Sequence, residues 1–449
     1  LVADTIYALS TARGRAGIAV VRVSGPQAGA ALTALAGRLP APRYARLARL
    51  RDPADGSEVD HALVLWFPGP NSETGEDMAE FHLHGGPAVI AGTLEALGRV
   101  PGLRPAQAGE FVRRSFDNGK LDLSAVEGLA DLIAAETAAQ RRQALRQVAG
   151  GLAARVEAWR TRLVRAMAHL EAGIDFADEA VPDDLETGVR AEILALQAEL
   201  AAALEDGGRG ERLRTGLNVA IIGPPNAGKS SILNALARRD VAIVSAQAGT
   251  TRDVIEVQLD LGGYPVTLAD TAGLRALAAE GGQEDIEAEG MRRAARRAAE
   301  ADLTLAVFDL REARDLDPTV LRHLTTDSLI VLNKIDLGCP ARAPRADGIP
   351  VLSVSAKTGQ GLDALVARLT AFAAQSLEAP GETAAMTRAR HREAVTAAAD
   401  ALGRAAGAGE VALMAEDLRL AARALGRITG RVDVEDLLDV IFRDFCIGK

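Results

Sequence analysis

The chain has 449 residues, enough for roughly three domains; 48% of them are hydrophobic but only 3% aromatic, so its apolar content is Ala, Leu, Val and Ile, which favours helices and parallel α/β layers over a β-sandwich. A formal charge of −10 argues against a protein that coats nucleic acid non-specifically, and it leaves room for a local basic pocket. Two cysteines, Cys339 and Cys446, cannot build a disulfide framework, no stretch of ~18 apolar residues spans a membrane, and the N-terminus lacks a basic-then-apolar signal pattern, so the expectation is a cytoplasmic protein.

Residues 1–116 read as mixed α/β. Ile6–Leu9, Gly17–Val23 and His61–Phe67 are short strand-like runs, and Pro68-Gly-Pro-Asn-Ser and His84-Gly-Gly-Pro87 are turns. His82 and His84 flank Leu83 and can face one side of a strand. With no Cys or other His beside them, ordinary surface or core histidines are favoured over a metal site. From about Leu121 the pattern turns helical. Leu121, Ala125, Leu129 and Leu132 recur at three- and four-residue spacing, as do Leu152, Val156, Trp159 and Leu163. Asp175-Phe-Ala-Asp-Glu and Pro182-Asp-Asp-Leu interrupt this run, and Ile193 to Leu204 resumes it.

The apolar run Leu217–Ile222 then leads into Gly223-Pro-Pro-Asn-Ala-Gly-Lys-Ser230 and on to Ser231-Ile-Leu-Asn-Ala-Leu236. A buried strand, a glycine-rich turn and a helix start are the context of a phosphate-binding loop. Its backbone N–H groups, from Asn226, Ala227 and Gly228 to Ser231, wrap a triphosphate. Lys229 reaches the β- and γ-phosphates, and the Ser230 hydroxyl ligates magnesium. Gly249-Thr-Thr-Arg-Asp253 lies where a switch I loop belongs, with Thr250 beside Thr251, the candidate second magnesium ligand. Asp270-Thr-Ala-Gly273 ends the run Val266–Leu268. Asp270 can hold magnesium through water and the Gly273 N–H can sense the γ-phosphate, with Thr271 and Ala272 between them.

Asn333-Lys334-Ile-Asp336 follows the buried run Leu329–Leu332. The Asp336 carboxylate can accept from guanine N1–H and the exocyclic amine, a donor pair adenine lacks, which selects GTP. Ser355-Ala356-Lys357 supplies a backbone N–H for the guanine oxygen. Ras-type enzymes orient the attacking water with a glutamine after Asp-x-x-Gly; here Leu274 stands there and cannot. Asn226 can offer a side-chain oxygen to a monovalent cation beside the β- and γ-phosphates, and a carboxylate between Glu280 and Glu289 is the candidate for orienting water. After residue 380 helical spacing returns with Leu413, Leu418, Leu425 and Ile428, then Val434, Leu437, Leu438, Ile441 and Phe442. The economical arrangement is one helical domain, 117–215 and 378–449, interrupted by a nucleotide-binding domain, 216–377.

Taken together, the loop carrying Asn226, Gly249-Thr-Thr-Arg-Asp253, Asp270-Thr-Ala-Gly-Leu-Arg275 and the terminal Phe445-Cys-Ile-Gly-Lys449 resemble the MnmE (TrmE) family of tRNA-modifying GTPases. Phe67-Pro-Gly-Pro-Asn-Ser, Leu83-His-Gly-Gly-Pro87 and Gly109-Glu-Phe extend the resemblance over the whole chain. It implies a multidomain α+β and α/β fold: an N-terminal tetrahydrofolate-binding and dimerisation domain, an all-α helical domain, and an inserted Ras-like G domain activated by potassium. It also implies a homodimer that forms a heterotetramer with the FAD-binding MnmG (GidA) protein. Together they add a carboxymethylaminomethyl or aminomethyl group at carbon 5 of the wobble uridine, position 34, of certain tRNAs. The carbon comes from a tetrahydrofolate derivative in the 5-formyl or 5,10-methylene form.

By position, Arg22, Glu80, Lys120 and Lys449 match the folate contacts. Arg and Lys suit the folate glutamate carboxylates, and Glu80 suits the pterin N–H edge. Asn226, Ser245, Gln247 and Thr250 match the potassium ligands, and Ala246 and Ala248 fall within the same GTP-binding stretch. Glu287 matches the catalytic Glu, with Glu284 and Glu289 as rivals because the loop after Arg275 is longer than the family pattern. Ser245 and Gln247 stand where the family has Thr and an aliphatic residue. Cys446 matches the terminal cysteine, whose alternatives are modification chemistry and a buried structural thiol. A ribosome-assembly GTPase usually carries an RNA-binding appendage or a second G domain; the sequence shows one phosphate loop and no Gly-x-x-Gly RNA clamp in a suitable βα setting. A folate transferase with a vestigial G domain is disfavoured by the intact nucleotide motifs.

Overall fold

The structure is a computed structural model that describes residues 4–175, 185–206, 208–243, 256–270, 296–311, 316–338, 348–378 and 386–432, and 438, 441, 442, 445 and 448 near the terminus. The chain forms two compact units: Leu1–Ala130, Gln147–Leu196 and Ala397–Lys449 make one, and Asp131–Arg146 with Gln197–Thr396 make the other.

The first unit contains a six-stranded sheet of β1 (Thr5–Leu9), β2 (Ile18–Ser24), β3 (Arg46–Arg51), β4 (Glu58–Phe67), β5 (Met78–His84) and β6 (Leu103–Pro105), ordered β3-β4-β5-β2-β1-β6. Only β1 and β6 run parallel; the other neighbours are antiparallel. Strand residues alternate between faces. One face buries Val21, Val23, Val64, Phe81 and Leu83 against Leu32, Leu35 and Leu97 of the helices Ala28–Ala36 and Pro87–Gly98. On the other face the helix Glu110–Asp117 covers one end, packing Phe111 on Ile6, Ala8 and Met78. Elsewhere on that face Leu47 and Leu63, opposite each other in register, are 69% and 44% exposed, and Ile18 is 63% exposed.

In the same unit the helix Gly151–Asp175 buries Leu152, Val156, Trp159 and Leu163, the four residues picked out by spacing. It packs against the helix Val411–Thr429, from the far end of the chain. Arg419 pairs with Glu171 at 2.6 Å and Arg431 with Glu157 at 3.3 Å, so the two helices run antiparallel. Arg190 donates to the Ala406 and Ala408 carbonyls. Leu418, Leu425 and Ile428 are buried as spacing predicts, whereas Leu413 points outward at 57% exposure and its neighbour Met414 takes the core position.

The second unit holds β7 (Leu217–Ile222), β8 (Glu256–Leu261), β9 (Tyr264–Asp270), β10 (Leu303–Asp309), β11 (Ser328–Asn333) and β12 (Val351–Ser353), ordered β12-β11-β10-β7-β9-β8. All pairs are parallel except the β8–β9 hairpin. Every residue of β10 and β11 is buried, as a parallel sheet covered on both faces requires. One face packs on Ile232, Leu233 and Leu236 of the helix Lys229–Ala237 and on Leu365 and Leu369 of the helix Leu362–Leu377. Segment 131–146 joins this unit through backbone and side-chain contacts. The Ala139 N–H donates to the Gly263 carbonyl in the β8–β9 turn, and Gln140 Nε2 to the Arg214 carbonyl, each at 3.0 Å.

Polar atoms beside the first sheet are tied by one ion network. Arg114 Nη2 reaches Asp4 at 2.7 Å and Glu110 at 3.2 Å, its Nη1 reaches Glu76 at 3.0 Å, and Arg104 joins Asp4 and Glu110. The hydrogen bond from Arg104 holds the Asp4 carboxyl below its ordinary range. Burial pushes Glu110 up, but Arg104, the Gln107 N–H and Arg114 outweigh it and hold Glu110 below its ordinary range too. Both carboxylates bind fewer protons folded than unfolded, so their contribution is present at neutral pH and disappears as pH falls through their folded values. Arg114→Met should cost about 2 kcal/mol at pH 7 by removing the charged donor of Glu76 and one of the two arginines that serve Asp4 and Glu110. Thermal unfolding of wild type and variant should show the gap narrowing below about pH 4; a gap constant down to pH 3 would contradict this assignment.

Candidate functional site

The phosphate-loop segment leaves β7 beside the centre of the second sheet, and local sterics dictate its glycines. Gly223 has φ +146°, and a Cβ there would lie 2.1 Å from the Val307 carbonyl oxygen of β10. Gly228 has φ +95°, and a Cβ there would lie 2.1 Å from Asn333 Nδ2. Only glycine fits either position. Lys229 opens the helix Lys229–Ala237 and is buried, with its ammonium curled back onto the Gly223 and Pro224 carbonyls at 2.9 and 2.8 Å. Ser230 and Ser231 follow in the first turn, where backbone N–H groups lack intrahelical acceptors and the helix dipole favours an anion.

The end of β11 braces this loop. Asn333, 2% exposed, donates from Nδ2 to the Ala227 carbonyl at 3.0 Å and accepts at Oδ1 from the Ala356 N–H at 3.1 Å. Lys334 has φ +68°, and its Nζ donates to the Asn226 carbonyl at 2.6 Å. Asp336 is exposed and accepts from the fully buried Ser355 hydroxyl at 2.6 Å, which fixes the carboxylate above the β11–β12 edge. Lys357 is exposed in the turn that follows. The phosphate loop is thus braced by motifs more than 100 residues further along the chain. Asp270 closes β9 with its neighbour Ile221 in register, two residues before Gly223.

Ser245, Ala246, Gln247, Ala248, Gly249, Thr250, Thr251, Thr271, Ala272, Gly273, Glu287 and its rivals Glu284 and Glu289 lie outside the described residues, as do Cys446 and Lys449.

Sequence reasoning passed over Asp309. It ends the all-apolar run of β10, sits opposite Asn333 in register and is 4% exposed. Hydrogen bonds from Arg311 and then from Lys334 hold its carboxyl far below the usual carboxylate range. The signal was an aspartate closing a buried strand, with Arg311 two residues on.

In the first unit β2 and β5 bring Arg22 and Glu80 face to face in register, with Arg22 Nε 3.0 Å from Glu80 Oε1. Arg22 Nη1 also pairs with Glu73 at 2.8 Å, and His82 lies 3.0 Å from Glu80 Oε2. Arg22 is therefore held by two carboxylates, and Glu80 is gripped on both oxygens. Lys120 donates to the Pro70 carbonyl in the loop that carries Glu73. Gly448 docks at the end of β1, accepting from the Ser10 hydroxyl at 2.8 Å, which brings the terminus to the strand that pairs with Arg22. His84 pairs with Asp60, so the two histidines serve different carboxylates, and no group of three or more metal-ligating side chains occurs among the described residues.

A parallel sheet in this strand order, a glycine loop opening a helix, and Asn-Lys-x-Asp and Ser-Ala-Lys beneath it define a phosphate-loop GTPase domain. Two family models match nearly the whole chain: "GTP-binding protein TrmE N-terminus" matches residues 5–120 and "MnmE helical domain" matches residues 123–446. The chain belongs to the MnmE (TrmE) family. It is 59% identical to the tRNA modification GTPase MnmE of Paramagnetospirillum magneticum, over 99% of this chain and 100% of that one. It is 60% identical to that of Parvibaculum lavamentivorans, with the same coverage. The human mitochondrial 5-taurinomethyluridine-[tRNA] synthase subunit GTPB3 is 50% identical, over 99% of this chain and 93% of its own.

Gly228→Ala should weaken GDP binding at least about 30-fold by forcing Asn333 off the Ala227 carbonyl. Fluorescent-GDP titration with a circular-dichroism control checks it; wild-type affinity would show that the loop tolerates the side chain.

Proposed function

We propose that the chain is a potassium-activated GTPase that works as a cytoplasmic homodimer with the FAD-binding MnmG (GidA) protein. The pair adds a carboxymethylaminomethyl or aminomethyl group at carbon 5 of the wobble uridine of certain tRNAs, drawing carbon from tetrahydrofolate. The observation that carries this reading is the braced phosphate loop, set in a chain that aligns end to end with relatives named for tRNA modification. We infer four segments: residues 1–116 for folate and dimerisation, 117–215 and 378–449 as one helical domain, and 216–377 as the G domain. The packing of helix Gly151–Asp175 on helix Val411–Thr429 supports that insertion.

In the G domain, Asp336 and the Ser355–Lys357 turn read guanine, Asn226 to Ser231 hold the phosphates, and Ser230 and Thr251 hold magnesium. Leu274 cannot orient water, so turnover depends on Glu287 and on potassium held by Asn226, Ser245, Gln247 and Thr250. Potassium supplies positive charge where an arginine finger acts in other GTPases. Asn226 fits such a role: it is exposed in the loop, and among the described residues its side chain makes no hydrogen bond while its backbone is anchored by Lys334.

In the first unit, Glu80, aligned by Arg22 and His82, suits the N–H edge of a pterin. Arg22, already neutralised by Glu73 and Glu80, orients Glu80 more than it holds a glutamate tail, and Lys120 and Lys449 serve that tail. The folate supplies the one-carbon unit. The exposed pair Leu47 and Leu63, on the same sheet face as this site, suits the face of a second copy.

Steady-state GTP hydrolysis in potassium chloride and in sodium chloride at equal ionic strength tests the reading. Stimulation of about ten-fold or more by potassium is expected from one added charge contact in the transition state. Equal slow rates in both salts would overturn the cation mechanism.

A further inference from the structure

Among the described residues of the G domain, two hold left-handed backbone angles without being glycine: Asn226 at φ +62° in the phosphate loop and Lys334 at φ +68° after β11. Such angles are unfavourable for side-chain-bearing residues and persist where neighbours enforce them. One ammonium joins the two positions. Lys334 Nζ donates to the Asn226 carbonyl at 2.6 Å and to Asp309 Oδ2 at 2.8 Å, so two of its three N–H donors are committed along one line. Asp309 is held in turn by Arg311, whose Nη2 reaches Oδ2 at 2.6 Å and whose backbone N–H reaches Oδ1 at 3.0 Å. The carboxylate is thus fixed at the end of a fully buried strand, next to Asn333 in register and two residues beyond Val307, whose carbonyl abuts Gly223.

We propose that Asp309 is a positioning residue for cation-activated GTP hydrolysis: through Lys334 it pins the Asn226 backbone, and so sets where the Asn226 side-chain oxygen stands. This rests on the potassium reading above and adds a residue outside the phosphate loop, the switches and the guanine motif. The chemistry is that of a charge-assisted anchor. An ammonium with a fixed carboxylate partner has one position, and the carbonyl it donates to inherits that position. Without the carboxylate the ammonium regains its freedom, Asn226 loses the contact that holds its left-handed turn, and the cation site loses a ligand oxygen in place. The same lysine belongs to the Asn-Lys-x-Asp segment, so nucleotide affinity weakens as well, whereas the chemical step at saturating potassium and GTP is preserved.

The test uses the full chain. GTP turnover is titrated with potassium chloride at constant ionic strength in wild type, Asp309→Asn, Asp309→Glu, Lys334→Gln and the Asp309→Asn/Lys334→Gln double variant, with unfolding midpoints as controls. Asp309→Asn keeps the shape and a hydrogen-bond acceptor but removes the charge. The potassium concentration for half activation should rise about ten-fold in Asp309→Asn, as expected for loss of a charge-assisted hydrogen bond, with the maximal rate kept. Asp309→Glu should remain closer to wild type. In the Lys334→Gln background Asp309→Asn should have almost no further effect, because a residue that acts through Lys334 has nothing left to act on. A potassium curve for Asp309→Asn superimposed on wild type overturns the proposal, and so do two substitutions whose effects multiply independently. Should Asp309→Asn fail to fold, an unchanged potassium requirement in Lys334→Gln overturns it. A wild type indifferent to potassium brings down the cation reading itself, which is a separate and visible failure.

Discussion

The contact on which the G domain depends is the one between the end of β11 and the phosphate loop. A glycine-rich loop wrapped for phosphate has carbonyls turned outward, and each needs a donor. Asn333 and Lys334 supply those donors to Ala227 and Asn226. Their side chains therefore serve the loop first, which leaves Asp336 to discriminate the base. This explains why Gly228 admits no side chain: its Cβ position is occupied by the amide that braces Ala227. Base recognition and phosphate recognition share one rigid element, so a change at either is felt at the other.

Some strands of the second sheet were plain in the sequence because parallel strands buried on both faces read as unbroken apolar runs, although Leu303–Asp309 was not singled out. Leu217–Ile222 and Leu329–Leu332 gave β7 and the heart of β11. The helix with Leu152, Val156, Trp159 and Leu163 was legible for the matching reason, a leucine-rich stripe at helical spacing. The helix Ala389–Gly407 was not, because its buried face is largely Ala398, Ala401 and Ala405, which carry little hydrophobic contrast. The helix expected from Ile193 begins at Leu185; its first turns contain Gly188 and charged residues and bury Val189 alone at full depth. Asp309 and Glu73 escaped notice because an acidic residue outside any motif has no spacing to betray it. Their roles come from the register of strands and the return of loops distant in sequence.

The same limit shows in the first unit. Gly109-Glu-Phe and the terminal Phe445-Cys-Ile-Gly stretch were separate pieces of one resemblance, and in the fold Gly109 lies against Phe442, three residues before that stretch. A Cβ on Gly109 would lie 2.2 Å from the Phe442 carbonyl oxygen, and Phe442 packs on Phe116 with ring centres 6.3 Å apart. Three residues past Phe445, Gly448 accepts from Ser10 at the end of β1. Gly448 is thus held against the sheet that carries Arg22 and Glu80. The charge balance there was also illegible: Arg22 and Glu80 looked like two independent ligands, whereas pairing in register makes them one unit with Glu73 and His82.

The measurement that reaches furthest is transfer of isotope-labelled carbon from a one-carbon tetrahydrofolate to tRNA. It uses the purified chain, its flavoprotein partner and GTP. The account predicts label at carbon 5 of the wobble uridine only while GTP is hydrolysed, and loss of that label in Glu80→Ala with GTP turnover retained. Label that enters equally with a non-hydrolysable GTP analogue, or that persists in Glu80→Ala, would contradict it.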